Sequence, residues 1–168
     1  MYTWSAMRHK LENEYLAPAL CGHIRYFATS YSKCPDHEGR ASILLDGKEI
    51  ISGGYYRQWT QAENFPHDEK YEERMRREFP FIDDTALKFG VFDQRCFYSA
   101  FNEFDSQSIE KSLESDDLLV RIFALLDRRT GKRRLLAMKD NIADEPEAFR
   151  TFYYIRAQAE GLIKTQEK

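Results

Sequence analysis

Apolar residues recur at every second position in much of residues 24–54, the spacing of β-strands that are buried on one face. A first strand with at least one buried face is expected over Ile24–Ser30. Two further β-favouring runs flank Asp46-Gly47, a dipeptide that suits the type I′ turn of a two-residue hairpin. Gly53-Gly54 ends the third strand. The pattern predicts a meander of about three antiparallel strands, the minimum for a stable sheet with one covered face.

Elsewhere apolar residues recur at three- and four-residue steps, the spacing of amphipathic helices. About six helices are expected, and they start near Thr3, Tyr55, Asp68, Asp93, Ser115 and Asp144. One of them has a wide apolar face that must be buried, made by Phe97, Ala100, Phe101 and Phe104. Residues 79–92 are apolar without a clear period, and we expect them to cross the core as an irregular segment.

Residues 106–138 contain the densest group of apolar residues, which we expect in the core, and the densest group of positive charges in the chain. The apolar run at residues 118–126 has helical spacing, and Ser115 followed by two aspartates is a suitable N-terminal cap. A helix is the favoured prediction for this run. The alternative is a hairpin over residues 123–138, with Thr130-Gly131 in its turn.

Five cations follow this run and are the candidate binding site, here called the basic cluster: Arg128, Arg129, Lys132, Arg133 and Arg134. Such a density of positive charge can bind an anion, a nucleic acid or an acidic partner. A structural explanation is also sufficient, and we favour it. Cations at the end of a helix over residues 118–129 complement its macrodipole, and Gly131 serves as its left-handed cap.

Other side chains of chemical interest have simpler explanations. The metal-ligand types Cys21, His23, Cys34 and His37 lack the spacing of a zinc site, so no metal is expected. The acid pairs at residues 83–84, 116–117 and 144–145 precede helical patterns, where capping explains them. No nucleophile motif is present, and no cofactor is expected.

One face of the predicted sheet is a further candidate. Arg25-Tyr26, together with Tyr31 and Arg40, could form a polar aromatic face that binds a ligand. Alternation on a half-exposed sheet produces the same set of residues, so both interpretations remain open.

Composition narrows the class of protein. A chain of 168 residues fits one domain, 1–168, and its 42% hydrophobic and 32% charged residues are typical of a folded protein. Its net charge of −3 argues against wholesale electrostatic binding to nucleic acid. The three cysteines are too few and too scattered for a disulfide framework. No apolar leader occurs, nor any run near the roughly 18 apolar residues of a membrane span. We expect a cytoplasmic protein without a membrane partner.

The chain resembles a family of small uncharacterised bacterial proteins in four stretches: MYTWSAMRHKLE, IRYFATSYSK, GRASILLDGKEI and LLVRIFALLDRRTGKRRL. The resemblance covers nearly the whole chain. It implies a bacterial cytosolic origin, and it brings no assigned function, cofactor or site.

The predicted fold is therefore an α+β domain with a small antiparallel sheet covered by about six helices. The expected function is a non-catalytic binding or regulatory module, whose protein partner contacts the basic cluster. One alternative is a nucleic-acid or anion-binding protein that uses the same cluster. The other is an enzyme of unrecognised type, which requires a deep pocket lined by ionisable groups with shifted pKa.

Overall fold

The computed structural model describes residues 2–30, 33, 39–54 and 81–164. These residues form a three-stranded antiparallel sheet and seven α-helices, so the predicted α+β class is confirmed. The strands are β1 (Ile24–Ser30), β2 (Gly39–Leu45) and β3 (Lys48–Gly54). The helices are α1 (Trp4–His9), α2 (Asp84–Phe89), α3 (Gln94–Ser106), α4 (Ile109–Leu113), α5 (Leu118–Leu126), α6 (Lys132–Met138) and α7 (Glu147–Ala159). The helices expected to start near Tyr55 and Asp68 lie outside the described residues.

The sheet is a meander in the order β1-β2-β3, and its hairpin turn lies where the sequence predicts it. Asp46 and Gly47 have φ angles of 50° and 80°, the positive values that a type I′ turn requires at both central residues. The even-numbered residues of β1 from 24 to 28 are buried, and they form the buried face that was expected for this strand. Arg25 and Phe27 of the same strand lie on the outer face. The sheet therefore has one face against the core and one face that carries polar and aromatic side chains.

The first helix is held against the sheet by the carboxylate of Glu12. Thr3 caps α1, as predicted, by accepting a backbone hydrogen bond at 3.3 Å, and the helix continues as a wider π-helical turn over Lys10–Tyr15. In this turn, Glu12 Oε1 accepts a hydrogen bond from the N–H of Tyr26 at 3.0 Å, and Oε2 accepts one from Arg25 at 2.8 Å. Because β1 is an edge strand, the carboxylate satisfies an N–H that has no neighbouring strand.

Aromatic rings from the sheet and two helices meet at the centre of the core. Every residue of α5 except Arg121 is buried. The ring centroid of Phe123 in this helix lies 5.2 Å from that of Phe97 and 5.8 Å from that of Phe104. Tyr26 of β1 also lies 5.8 Å from Phe123. The predicted apolar face of α3 is buried here, and its cluster of apolar side chains is continuous with those of the sheet and α7.

The segment at residues 79–92 contains helix α2, so the expectation of an irregular segment is wrong. Asp83 caps the start of α2 by accepting a hydrogen bond from the N–H of Ala86 at 2.8 Å, and Gly90 ends it with a φ of 66°. A helix of six residues is too short to show an apolar period, yet both capping residues are visible in the sequence. Ile82 and Phe92, which flank the helix, are buried as expected.

Helix α7 is capped by a residue of α2 rather than by Asp144. Pro146 occupies the N-cap position, and Asp144 ends the preceding 3-10 helical turn. The carboxylate of Asp84 accepts hydrogen bonds from the N–H groups of Glu147 at 3.3 Å and Ala148 at 3.1 Å. The predicted Asp144 cap is therefore wrong, because the capping carboxylate comes from a distant part of the chain.

Residues 118–138 form two helices, α5 and α6, instead of one longer helix or a hairpin. The N-terminal cap of α5 is Asp117, whose Oδ1 accepts a hydrogen bond from the N–H of Leu119 at 2.9 Å. Ser115 is not the cap, as its hydroxyl accepts from the N–H of Asp117 at 3.1 Å and donates to Glu103 at 2.5 Å. The helical interpretation of the apolar run is thus correct, although its cap lies two residues later than predicted and the helix ends at Leu126.

The turn between α5 and α6 overturns the first structural explanation of the basic cluster. Asp127 leaves the helix and forms a β-bridge with Leu16, and Gly131 has a φ of −76° immediately before α6. Gly131 is therefore not the left-handed end of a helix. Arg133 and Arg134 lie in the first turn of α6, where the macrodipole is positive and does not favour cations.

Candidate functional site

The first two cations of the basic cluster bind the end of α5 to the first helix. Arg129 forms a two-armed ion pair with Asp127, with Nη2 and Nε at 2.7 Å and 3.0 Å from Oδ2. The Asp127 side chain is fully buried, and the Arg129 guanidinium also lies 4.9 Å from the ring centroid of Tyr15. Arg128 donates a hydrogen bond to the carbonyl oxygen of Asn13 at 3.1 Å. Both arginines therefore have partners within the fold.

The three cations on α6 differ in how far they are engaged. Arg134 Nη2 lies 2.6 Å from Glu110, and Lys132 Nζ lies 3.7 Å from Glu160. Exposed pairs of this kind contribute at most about 1 kcal/mol each, but they reduce the charge offered to a ligand. Arg133 is exposed and forms no ion pair with any residue that the structure describes. It is the least engaged cation of the cluster.

A buried arginine that no sequence pattern pointed to caps the C-terminal end of α5. Arg156 of α7 is 2% exposed. Its Nη1 donates to the carbonyl oxygens of Leu126 at 3.0 Å and Asp127 at 3.1 Å, and its Nη2 donates to that of Thr130 at 3.0 Å. Burial lowers the pKa of the guanidinium, whereas Glu160 at 3.0 Å opposes that shift. The guanidinium stays charged at neutral pH and satisfies the carbonyl groups at the C-terminal end of α5.

A polar network joins α3 to the first helix. Lys10 Nζ lies 2.6 Å from Asp105 Oδ1 and 2.9 Å from the Tyr2 hydroxyl, and the Tyr15 hydroxyl also donates to Asp105. Burial opposes the ionised carboxylate, but the hydrogen bonds from Lys10 and Tyr15 outweigh it and lower the pKa of Asp105. Burial likewise opposes the charged amine, but the hydrogen bonds that Lys10 donates to Asp105 and Tyr2 outweigh it and raise the pKa of Lys10. Neither group is tuned to exchange protons at neutral pH, so the network stabilises the packing of α3.

Two more ionisable side chains are enclosed by the core. Burial raises the pKa of Cys96 to about 12, so this thiol is not a ready nucleophile. Burial also raises the pKa of Asp117 to about 7, although the hydrogen bonds from the N–H groups of Ile82 and Leu119 oppose that shift. These contacts assign Asp117 to capping α5 and to holding the chain before α2.

Of the four side chains of metal-ligand type considered from the sequence, the structure describes Cys21 and His23. His23 Nδ1 lies 2.7 Å from Asp46 Oδ1 beside the hairpin turn, and Cys21 is exposed. Cys34 and His37 lie outside the described residues. Within residues 2–30, 33, 39–54 and 81–164, no three or more histidine, cysteine or acidic side chains are placed to hold a metal ion.

An acidic cleft of about 510 Å³ lies between the N-terminal ends of α2, α5 and α7. Asp83 and Asp84 on its wall each cap a helix, and Glu145 pairs with Arg121 at 2.6 Å. These carboxylates have roles within the fold. They give no separate reason to place a ligand in this cleft.

A second cleft, of about 460 Å³, lies on the outer face of the sheet and is called here the sheet-face cleft. Its lining comes from the first helix and all three strands: Arg8, Glu12, Arg25, Tyr26, Phe27, Arg40, Ser42, Leu44 and Glu49. Arg25 and Arg40 belong to the polar aromatic face considered from the sequence. Tyr26 is 4% exposed and packs in the core, and Tyr31 lies outside the described residues.

The charges of the sheet-face cleft are only partly balanced. Its three arginines and two glutamates leave an excess of one positive charge. Arg25 pairs with Glu12 at 2.8 Å, and Arg40 pairs with Glu49. Arg8 is exposed and forms no ion pair with a described residue. One guanidinium of the cleft is therefore available to an anionic group.

The floor of the cleft combines an exposed ring with a hydroxyl that has no partner in the part of the chain that the structure describes. Phe27 is 39% exposed, and the Arg40 guanidinium lies 5.5 Å from its ring centroid. Ser42 is directly opposite Phe27 across β1 and β2. The Ser42 Oγ atom is buried and forms no hydrogen bond with the described part of the chain. Such a group costs about 1–3 kcal/mol, which makes it unusual in a folded protein.

Removing this hydroxyl should stabilise the protein. We expect Ser42→Ala to raise the free energy of unfolding by about 1 kcal/mol, because no hydrogen bond is lost with the hydroxyl. Ser112→Ala is the matched variant, since Ser112 Oγ is also buried without a partner among the described residues and lies away from the cleft. Urea unfolding of both variants measures the effect. A loss of stability in Ser42→Ala alone would mean that its hydroxyl is already satisfied.

Comparison with known proteins places the chain in a family. No curated protein and no solved structure matches it. In the described part of the chain, no helix is both long and apolar enough to cross a membrane. A family model matches residues 3–157, a range that includes the whole sheet and both sides of the sheet-face cleft. The chain therefore belongs to the SF0329 protein family.

Proposed function

We propose that this chain is a single-domain, non-catalytic binding protein of the bacterial cytoplasm, and that it holds a partner protein in the sheet-face cleft. The observation that carries the proposal is the buried Ser42 hydroxyl, which has no hydrogen-bond partner among the described residues and lies in a cleft that also offers Arg8 and an exposed Phe27. A peptide segment supplies hydrogen-bonding backbone groups to such a hydroxyl and apolar atoms to such a ring. The three scattered cysteines and the resemblance to bacterial cytosolic proteins support the location.

The basic cluster is a weaker candidate for the partner site than the sequence suggests. Arg128, Arg129 and Arg134 each make contacts of 3.1 Å or less within the fold, and Lys132 lies near Glu160. A partner would have to displace these contacts and would gain one freely available guanidinium.

A catalytic role has less support than binding. The ionisable side chains with opposed or strongly shifted pKa values include Lys10, Asp105, Cys96 and Asp117. Each of these four is engaged inside the fold, and none of them lines the sheet-face cleft. Tyr26 does line the cleft, but burial raises the pKa of its phenol, so it is not a ready acid or base. An enzyme of unrecognised type therefore remains the alternative, and its catalytic groups would be side chains other than these five.

Selection from a random displayed-peptide library on the full chain tests the proposal. We expect enriched peptides that bind the double variant Arg8→Ala/Phe27→Ala at least about tenfold more weakly, a loss of about 1.4 kcal/mol. The matched variant Arg133→Ala, on the basic cluster, should bind them as the wild type does.

Three outcomes would overturn the proposal. The first is that no peptide is enriched, and the second is that the enriched peptides lose affinity on Arg133→Ala alone. The third is salt-sensitive binding of single-stranded oligothymidylate that Arg133→Ala abolishes, which would favour nucleic-acid binding by the basic cluster.

A further inference from the structure

We infer that the partner segment carries a single carboxylate next to an apolar side chain, and that Arg8 binds this carboxylate. This inference rests on the proposed function, because it names the chemistry of the ligand in the same cleft. The charge, the hydroxyl and the ring of the cleft each point to one part of the ligand.

The net charge of the sheet-face cleft favours a ligand with one carboxylate over a ligand with several phosphate groups. Glu12 and Glu49 already neutralise Arg25 and Arg40, so the cleft offers the charge of Arg8 alone. A planar guanidinium bonds a carboxylate through two parallel N–H groups. A nucleic-acid strand adds one negative charge with each nucleotide, and the two glutamates would repel the excess.

The Ser42 hydroxyl favours a ligand that has a polar group close to the sheet. Ser42 Oγ can donate one hydrogen bond and accept others, and it has no partner among the described residues. Ser42 is 0% exposed, so the backbone N–H and C=O groups of a peptide satisfy both capacities only after the side chains that cover this residue move aside. Binding then removes a cost that the free protein carries.

The ring and its neighbour select an apolar side chain. Phe27 is 39% exposed, and Leu44 on β2 is directly opposite Arg25 on β1. Phe27 is directly opposite Ser42, and side chains directly opposite on paired strands have Cβ atoms about 5 Å apart. The apolar ring of Phe27 is therefore an immediate neighbour of the Ser42 side chain. An apolar residue adjacent to the carboxylate can therefore cover Phe27 while the acid contacts Arg8.

Two small probes test the ligand chemistry without knowledge of the partner. Glutamyl-phenylalanine, blocked at both ends, carries the carboxylate, and its glutaminyl counterpart has nearly the same shape without the charge. Amide NMR shifts of Phe27, Ser42 and Leu44 report where each probe binds to the full chain. We expect the glutamyl probe to bind with a Kd near 1 mM, and the glutaminyl probe about fivefold more weakly.

Variants of Arg8 and Arg133 show which cation binds the carboxylate of the glutamyl probe. In Arg8→Ala, both probes should bind with the lower affinity, whereas Arg133→Ala should keep the fivefold difference. Equal binding of the two probes at the cleft of the wild type would overturn the single-carboxylate inference and leave the proposed function standing. A difference that survives Arg8→Ala would overturn the role of Arg8. No shift of the three amides with either probe at about 10 mM would overturn both proposals.

Discussion

Replacing Arg156 by methionine should lower the free energy of unfolding by about 3–5 kcal/mol. The substitution keeps most of the apolar stem but removes every donor. Three carbonyl oxygens at the end of α5 then lose their bonds, and Glu160 loses its closest cation. A buried hydrogen-bond acceptor without a partner destabilises the fold by its full desolvation free energy. The loss of stability should therefore be larger than for replacement of a surface arginine. Urea unfolding followed by far-ultraviolet circular dichroism measures the change.

Arg150 of the same helix is the matched control. It is only half-buried, and its single hydrogen bond to the carbonyl oxygen of Ala143 spans 3.5 Å. Arg150→Met should therefore cost less than about 1 kcal/mol. Arg156→Lys should fall between the two, because one ammonium cannot replace a planar fork that serves several carbonyl groups. Similar losses for Arg156→Met and Arg150→Met would show that the cap of α5 contributes little.

Replacing Phe123 by alanine should cost about 3–5 kcal/mol of unfolding free energy. Phe123 is 1% exposed, and its ring touches those of Phe97 and Phe104 as well as Tyr26 of the sheet. Truncation removes the buried area of the ring and leaves a cavity where α3, α5 and the sheet meet. The same urea unfolding experiment measures the loss.

Graded variants distinguish a central cavity from a general sensitivity of the chain. Phe123→Leu keeps much of the volume and should cost less than about 2 kcal/mol. Tyr154→Ala removes a ring that is 45% exposed and should cost less than about 1 kcal/mol. If Phe123→Ala cost no more than Tyr154→Ala, the core would not be centred on Phe123.

Much of the sheet and several helix starts could be predicted because their signals are local. The alternation from Ile24 and the Asp46-Gly47 turn fix both the strands and the hairpin within a few residues of chain. Thr3 and Asp93 bond to the N–H groups of their own helices, so their types and positions are sufficient to identify them as caps.

Interactions between distant parts of the chain account for the predictions that were wrong. Asp84 caps α7 from another helix, and Asp127 leaves α5 to pair with Leu16, so neither contact leaves a local pattern. The helical spacing of the apolar residues after Pro146 also predicts a core position for Ala159, but this residue is exposed near the end of α7. Arg156 could have been noticed, because it lies one helical turn after the buried Phe152 on a face that is otherwise apolar.

The candidate site shows the same limit. The sequence identifies Arg25 and Arg40 as members of an exposed sheet face, because alternation places them there. It does not show that Glu12 and Glu49 neutralise them, or that Arg8 of the first helix borders the same cleft. The burial of Ser42 on the outer face depends on its neighbours across the strands and cannot be inferred from alternation alone.

The most direct measurement is the affinity of the selected peptides for Ser42→Ala and Ser112→Ala, alongside the stability of both variants. If Ser42 is a ligand contact, Ser42→Ala should be more stable than the wild type and bind at least about tenfold more weakly. Ser112→Ala should gain similar stability and bind unchanged. Wild-type affinity in Ser42→Ala would show that the partner does not occupy the sheet-face cleft.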